Sequence, residues 1–242
     1  MFSFKHRLPD DFFKGACDVH CHLLPGVDDG FATVEKSLHA LEVLEKRGVS
    51  KMMLTPHFMK DYPDNDRASI TAKFEAFKEK AAKVSKIELR LAAEYMLDAR
   101  FMEHFKQGFL FLDKDNTHVL CETSYMMYEH GITEMIYEIM LEGLQPVIAH
   151  PERYEYANRA NYARWKDKNY KFQLNLLSLA GTYGAPAVEK AHFLLKEGMY
   201  DYIGSDMHGL GNFDRFLPEL KLKTQEIDQL AQLLENNKKL FK

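Results

Sequence analysis

Histidine and carboxylate residues recur in this chain where short apolar runs end. In chain order, they are His20, His22, His57, Glu94, Glu122, His150, Asp206 and His208. Imidazole and carboxylate groups bind zinc, manganese or iron in catalytic sites that keep open coordination positions. If the runs are parallel strands, these side chains collect at the carboxyl edge of the sheet, where α/β proteins place their active sites. The pattern therefore predicts a metalloenzyme.

These ligand groups are too many for one ion, so we expect two or three divalent ions. Two ions about 3.5–4 Å apart can stabilise both the attacking and the leaving oxygen of a phosphoester. His20 and His22 lie two residues apart in an extended segment, so both side chains leave the same face and can reach one ion. The predicted chemistry is phosphoester hydrolysis.

Length and composition are consistent with one enzyme domain over residues 1–242. The chain has 242 residues, of which 46% are hydrophobic, and this is enough for one sizeable core. The net charge of −4 gives no sign of the basic surface that a nucleic-acid backbone requires. We therefore expect no nucleic-acid partner.

The N-terminal residues 1–9 lack the apolar core of a signal peptide, and no run approaches the roughly 18 apolar residues of a membrane span. The three cysteines fall in or beside strand-like runs, which is typical of reduced thiols. The expected location is the cytoplasm, without insertion into a membrane.

Helical periodicity separates the strand-like runs. Val34, Leu38, Leu41 and Leu44 form one apolar face before Gly48. Further helices are predicted at about 68–84, 98–106, 132–142, 159–168, 185–197 and 224–237, and a seventh strand at 171–175. Strictly alternating strands and helices indicate a parallel sheet. We predict an α/β fold, a distorted seven-stranded (β/α) TIM-like barrel, with an open doubly wound sheet as the alternative.

Four motifs carry a family resemblance. Residues 18–30 read DVHCHLLPGVDDG, and they are followed by TPH at 55–57, HPERY at 150–154 and SDMH at 205–208. This set closely resembles the PHP (polymerase and histidinol phosphatase) superfamily and, within it, the bacterial capsule-associated tyrosine phosphatases of the CpsB/YwqE type. The resemblance covers residues 16 to about 215. It implies a PHP-type barrel that hydrolyses phosphotyrosine on the tail of a bacterial tyrosine kinase governing polysaccharide export.

The resemblance also implies residue roles. One ion would be held by His20, His22, Glu94 and Asp206, a second by Glu94, Glu122 and His150, and a third by Asp29, His57 and His208. Manganese is the expected metal, with iron and zinc as alternatives. A metal-activated water would attack phosphorus while Arg153 grips the phosphate oxygens. The family's second arginine would be Arg215, which lies about two residues later than the family spacing.

Several alternatives stay open at this stage. The same site would serve a small phosphomonoester such as histidinol phosphate, and a catalytically weak kinase-binding protein would keep the metal for structure. Arg153 could instead pair with Glu152 or Glu155. Asp28 is expected to stabilise the turn before Gly30, and Asn175 either touches the site or caps a loop. Tyrosines could line the cleft for an aromatic ring, namely Tyr125, Tyr128, Tyr154 and Tyr156.

A cysteine-dependent phosphatase is not predicted, because its nucleophilic cysteine needs an arginine six positions later. The residues six positions after Cys17, Cys21 and Cys121 are Leu23, Val27 and Met127.

Overall fold

The computed structural model describes residues 4–128 and 131–242. His130 and residues 1–3 of the N-terminal segment lie outside these ranges. The strands are β1 (Lys5–Arg7), β2 (Ala16–Cys21), β3 (Val49–Leu54), β4 (His57–Phe58), β5 (Glu88–Leu91), β6 (Glu94–Met96), β7 (His118–Glu122), β8 (Gln145–Ala149), β9 (Lys171–Asn175), β10 (Tyr202–Gly204) and β11 (Lys221–Lys223). The helices are α1 (Val34–Lys46), α2 (Arg67–Ala81), α3 (Phe101–Gln107), α4 (Ile132–Leu141), α5 (Arg159–Asp167), α6 (Ala185–Lys196), α7 (Leu210–Phe216) and α8 (Thr224–Leu240).

The parallel strands form two sheets. Six strands lie in the order β10-β9-β8-β7-β6-β4, and three lie in the order β2-β3-β5. Strands β1 and β11 form a separate antiparallel pair. The predicted α/β class is confirmed. The prediction of one seven-stranded barrel is not, because the six-stranded sheet curls as a half-barrel and the remaining parallel strands pair separately.

The sheets separate where two neighbouring strands are interrupted, at residues 55–56 and 92–93, although the two segments keep the same register on both sides. After β3, Pro56 has no N–H to donate, and the chain resumes as β4, in which His57 pairs with Glu94 of β6. Thr55 extends the contact of this segment with β2, because its N–H donates to the Cys21 carbonyl at 2.8 Å and its Oγ1 accepts from the Cys21 N–H at 3.0 Å. His57 and Glu94 therefore begin short continuation strands instead of following completed ones, which corrects the strand-end prediction for these two residues.

The first and last parallel strands approach each other at their carboxyl ends. Cys21 forms an isolated parallel bridge with Met207. The Asp206 N–H donates to the His20 carbonyl at 2.8 Å. From α8, the buried Asn237 Nδ2 donates to the Cys17 carbonyl at 2.7 Å and to the Ile203 carbonyl at 2.6 Å. Strands β2 and β10 are thus held together across the gap in the strand order.

The predicted helices are all present, with ends within a few residues of the predicted ones. Asp66 caps α2, accepting from the Ser69 N–H at 2.8 Å, and Asn158 caps α5. Helix α7 and the antiparallel pair of β1 and β11 were not predicted. Within the described ranges, no helix has the length and apolar character needed to cross a bilayer.

Replacement of Asn237 by alanine should destabilise the fold. It would leave buried carbonyls of β2 and β10 without donors, so we expect the free energy of unfolding to fall by about 2–4 kcal/mol. Urea denaturation of the variant and of a control, Gln232→Ala on the exposed side of α8, measures the difference. Equal unfolding midpoints for the two variants would contradict the bridging role.

Candidate metal centre

The nine predicted ligand residues lie in one region of the structure. Three groups have ligand atoms within 4.8 Å of one another: His20, Glu94, His150 and Asp206; His57, Glu94 and Glu122; and His22, Asp29, His57 and His208. Each group could hold a metal ion. Glu94 and His57 each belong to two groups, so the three candidate positions adjoin one another.

The innermost group has the spacing of a coordination shell. His20 Nε2 lies 3.2 Å from Glu94 Oε2 and 3.4 Å from Asp206 Oδ1. His22 Nε2 lies 3.3 Å from each of the same two oxygens. Four ligands at about 2.1 Å from a tetrahedral ion lie about 3.4 Å apart. His22 therefore fits this inner group as well as the outer one.

Several buried atoms that face the centre form no well-directed hydrogen bond. Within the described part of the chain, these are Glu94 Oε2, Glu122 Oε1, Asp206 Oδ1 and His57 Nδ1. Imidazole nitrogens lie 2.9–3.4 Å from the three oxygens, which are ion-pair distances without hydrogen-bond geometry. Burying a carboxylate oxygen without a partner is costly. A divalent cation among these atoms would satisfy all of them, so the residues fit a metal site.

The outer group is more open to solvent. Asp29 Oδ1 lies 3.3 Å from His208 Nε2 and 3.5 Å from His57 Nε2, and the Asp29 side chain is 60% exposed. On its other side, His57 Nδ1 lies 2.9 Å from Glu122 Oε1. His57 thus stands between the buried carboxylates and the solvent-facing group.

The electrostatics of the centre are dominated by imidazole–carboxylate attraction. Burial lowers the pKa of His20, but the carboxylates of Glu94 and Asp206 outweigh it and raise that pKa to about 9. Conversely, burial raises the pKa of Glu94 and of Asp206, while the neighbouring histidines, foremost His20, hold both well below the usual range. Metal binding would require these histidines to lose their protons.

Hydrogen bonds from outside the centre orient the first two histidines. His20 Nδ1 lies 2.8 Å from Gln173 Oε1, and His22 Nδ1 lies 2.9 Å from Asp28 Oδ2. Each contact turns Nε2 of its imidazole toward the centre. Asp28 also accepts from the Gly30 N–H at 3.0 Å, as the turn prediction required, and from the His57 N–H at 3.1 Å.

Backbone geometry brings the ligands close together. His150 and Asp206 follow their strands in the left-handed region, with φ of 32° and 48°, which is a strained conformation for such residues. Gly204 leaves room for His20, because an added Cβ would stand 2.6 Å from the His20 Cβ. Gly30 does the same for His22, again at 2.6 Å.

Arg153 lies beside the centre on a short 3₁₀ helix, Pro151–Arg153. Its Nη1 donates to Asp206 Oδ2 at 2.6 Å. Its guanidinium lies 4.3 Å from the ring centre of Tyr125 and 4.1 Å from that of Tyr183. The pairing of Arg153 with Glu152 is wrong, because buried Glu152 instead accepts hydrogen bonds from the Asn175 N–H and from the Ser178 and Tyr200 hydroxyls.

Asn175 performs both of the roles considered for it. Its Nδ2 donates to Asp206 Oδ2 at 2.8 Å, while its Oδ1 accepts from the Leu177 N–H at 3.0 Å. Asn175 and Arg153 both donate hydrogen bonds to Oδ2 of Asp206, which leaves Oδ1 of Asp206 facing the candidate ion.

A cleft of about 280 Å³ opens onto these groups, and Met59, Tyr62, Met96, Tyr125 and Arg153 are among its lining residues. Of the four tyrosines considered, Tyr125 lines the cleft and Tyr154 is buried in the core. Arg215 is exposed on α7, with its guanidinium 5.1 Å from the Phe216 ring, and it is not among the described residues that line the cleft.

Two residues beside the centre, Gln173 and Tyr183, were not predicted from the sequence. The sequence contains one indication of a role for Gln173, because it is a polar residue between two apolar residues in the predicted seventh strand.

A curled parallel sheet with imidazoles and carboxylates gathered at its carboxyl end defines an α/β protein with a candidate multi-metal centre. Residues 16–234 match the family model described as "Capsular polysaccharide synthesis, CpsB/CapC". The chain therefore belongs to the CpsB/CapC family.

Three comparisons illustrate this relationship. The tyrosine-protein phosphatase YwqE of Bacillus subtilis is 25% identical over 202 residues, covering 80% of this chain and 77% of its own. The putative tyrosine-protein phosphatase CapC of Staphylococcus aureus is 24% identical over 236 residues, with 91% and 89% covered. A structure described under "Crystal structures of YwqE from Bacillus subtilis and CpsB from Streptococcus pneumoniae, unique metal-dependent tyrosine phosphatases" is similar in fold, with a TM-score of 0.78 and 22% identity over 93% of both chains.

Replacement of Asp28 should weaken metal binding without removing a predicted ligand. In Asp28→Ala, His22 loses the acceptor that orients it and the His57 N–H loses its partner, so we expect about 10- to 100-fold weaker binding. Calorimetric titration of Mn²⁺ into chelator-treated protein measures this, with Asp64→Asn in an exposed loop as the control. Unchanged affinity in Asp28→Ala would show that the contact does not orient His22.

Proposed function

We propose that this chain is a metal-dependent protein-tyrosine phosphatase that acts on a phosphotyrosine-bearing bacterial tyrosine kinase of polysaccharide synthesis and export. The observation that carries the proposal is the convergence of the buried carboxylates of Glu94, Glu122 and Asp206 beside Arg153, with Glu122 and Arg153 lining an open cleft. The names of the relatives support the substrate class. The proposed location is the cytoplasm, where such a kinase tail would be accessible.

The proposed metal ligands are the nine residues of the three groups. His20, His22, Glu94 and Asp206 would hold one ion, Glu94, Glu122 and His150 a second, and Asp29, His57 and His208 a third. Bound ions, for which manganese is our proposal, would supply Lewis acidity and an activated water for hydrolysis. The parallel strands would together form one distorted barrel with seven strand positions, and the metal ions would lie at the carboxyl ends of these strands. The bridge between Cys21 and Met207 would close this barrel.

Arg153 is the proposed phosphate-binding residue. One guanidinium nitrogen is engaged by Asp206, and the rings of Tyr125 and Tyr183 limit the movement of the guanidinium plane. The remaining donors can form paired hydrogen bonds with phosphate oxygens, for which guanidinium geometry is suited. Tyr62, which stacks against His57 at a ring distance of 6.0 Å, and Tyr125 give the cleft aromatic walls suited to a phenyl ring.

The substrate class can be tested by phosphate release. Chelator-treated protein should release phosphate from a phosphotyrosyl peptide only after Mn²⁺ is added, and should prefer that peptide to histidinol phosphate. Thiol alkylation should leave the activity largely intact, because all three cysteines are buried and lie outside the centre. Preference for histidinol phosphate would identify a small-molecule phosphatase. Metal binding without release from either substrate would favour a binding protein.

The two arginines can be separated by substitution. Arg153→Lys keeps the positive charge but loses the planar donor pair, so kcat/KM for p-nitrophenyl phosphate should fall about 100-fold or more. Arg215→Ala tests the second arginine: a comparable loss would support its contact with phosphate, and unchanged kinetics would remove it from the site. Full activity in Arg153→Lys would contradict the proposed binding of phosphate by paired guanidinium hydrogen bonds.

A further inference from the structure

Exposed apolar side chains are concentrated in one part of the described chain. Five of the eight large ones fall within residues 126–141, namely Met126, Met127, Tyr128, Tyr137 and Leu141. Met126 is 73% exposed and Met127 is 64% exposed. Scattered single apolar residues are normal on a protein surface, but a concentration of this kind marks a site for a partner.

A hydrogen bond joins Tyr128 to the helix that carries Tyr137 and Leu141. The Tyr128 hydroxyl lies 2.5 Å from Thr133 Oγ1 at the start of α4. Thr133, Tyr137 and Leu141 follow at four-residue spacing, so they share one face of that helix. We call the five residues from Met126 to Leu141 the apolar strip.

The apolar strip begins at the wall of the catalytic cleft. Tyr125 directly precedes Met126, and its hydroxyl donates to Glu122 Oε2 at 3.2 Å. The Tyr125 carbonyl accepts from the Glu155 N–H at 2.7 Å, which fixes this segment next to Arg153. A chain that places a phosphotyrosine in the cleft therefore has the first residues of the apolar strip beside it, and α4 carries the rest of the strip away from the cleft.

A row of carboxylates accompanies the apolar strip. Glu134, Glu138 and Glu142 are exposed and also repeat every four residues along α4, each next to a residue of the apolar face. Such a row attracts lysine and arginine side chains. It also disfavours a second copy of this chain as the occupant, since a symmetric contact centred on α4 would oppose the two acidic rows.

We propose that the apolar strip docks the phosphotyrosine-bearing protein substrate, through a substrate segment that carries apolar and basic side chains next to the phosphotyrosine. This inference rests on the proposed function and assigns it a specificity determinant. The phosphate would be bound in the cleft, while the apolar strip and the acidic row select the flanking sequence.

The test compares two phosphotyrosyl peptides of equal length, one with leucine and lysine on both sides of the phosphotyrosine and one with serine and glycine. The Mn²⁺-loaded protein should show a kcat/KM about tenfold higher for the first peptide. In Tyr137→Gln/Leu141→Gln and in Met126→Ser/Met127→Ser, this preference should fall to about twofold or less, while turnover of p-nitrophenyl phosphate stays unchanged. Val84→Gln, at an exposed apolar residue elsewhere, should keep the preference.

Equal kcat/KM for both peptides in the unaltered protein, or a preference that survives both double substitutions, would overturn the inference. If the double substitutions changed the sedimentation coefficient of the protein but left the peptide preference intact, the result would overturn the docking inference in favour of self-association. Absence of Mn²⁺-dependent p-nitrophenyl phosphate hydrolysis in the unaltered protein would instead refute the proposed function itself.

Discussion

The burial of several carboxylates and imidazoles around one point is the constraint on which the rest of this structure depends. Glu94, Glu122 and Asp206 are removed from solvent, and each has one oxygen that forms no well-directed hydrogen bond among the described residues. Attraction between these carboxylates and His20, which raises the pKa of His20 and lowers that of Glu94 and Asp206, partly balances the charge. A divalent cation would balance it more fully and satisfy the unpartnered atoms, so the arrangement is suited to holding metal.

The surrounding fold positions these groups rigidly. Strand ends supply most of the ligands, and the left-handed residues His150 and Asp206 turn the chain at the end of a strand. Asp28 orients the imidazole of His22, and Gln173 orients that of His20. Arg153 and Asn175 donate hydrogen bonds to the Asp206 oxygen that faces away from the centre. Because ligand orientation depends on such outer contacts, their loss is expected to affect metal affinity even though they do not touch the ion.

Much of this was predictable from sequence because the signals are local. An ionisable residue at the end of an apolar strand is unusual, and its repetition identified eight of the nine residues that the structure brings together. The ninth, Asp29, was expected only from the family resemblance. Apolar periodicity likewise predicted the helices from α1 to α6 and α8. The orienting role of Gln173 depends on a contact with His20, 153 residues away, for which one sequence gives no register. The separation of the parallel strands into two sheets depends on interruptions of two paired strands at residues 55–56 and 92–93, and strand spacing does not encode these.

This arrangement of buried carboxylates and imidazoles requires that divalent ions bind among these residues. Anomalous diffraction from crystals of the Mn²⁺-loaded protein, measured at an energy where manganese scatters strongly, tests it most directly. We expect a strong anomalous peak bounded by His20, Glu94 and Asp206, with a neighbouring peak beside Glu122. Stoichiometric manganese located only outside this cluster, or a cluster without any peak at saturating Mn²⁺, would contradict it.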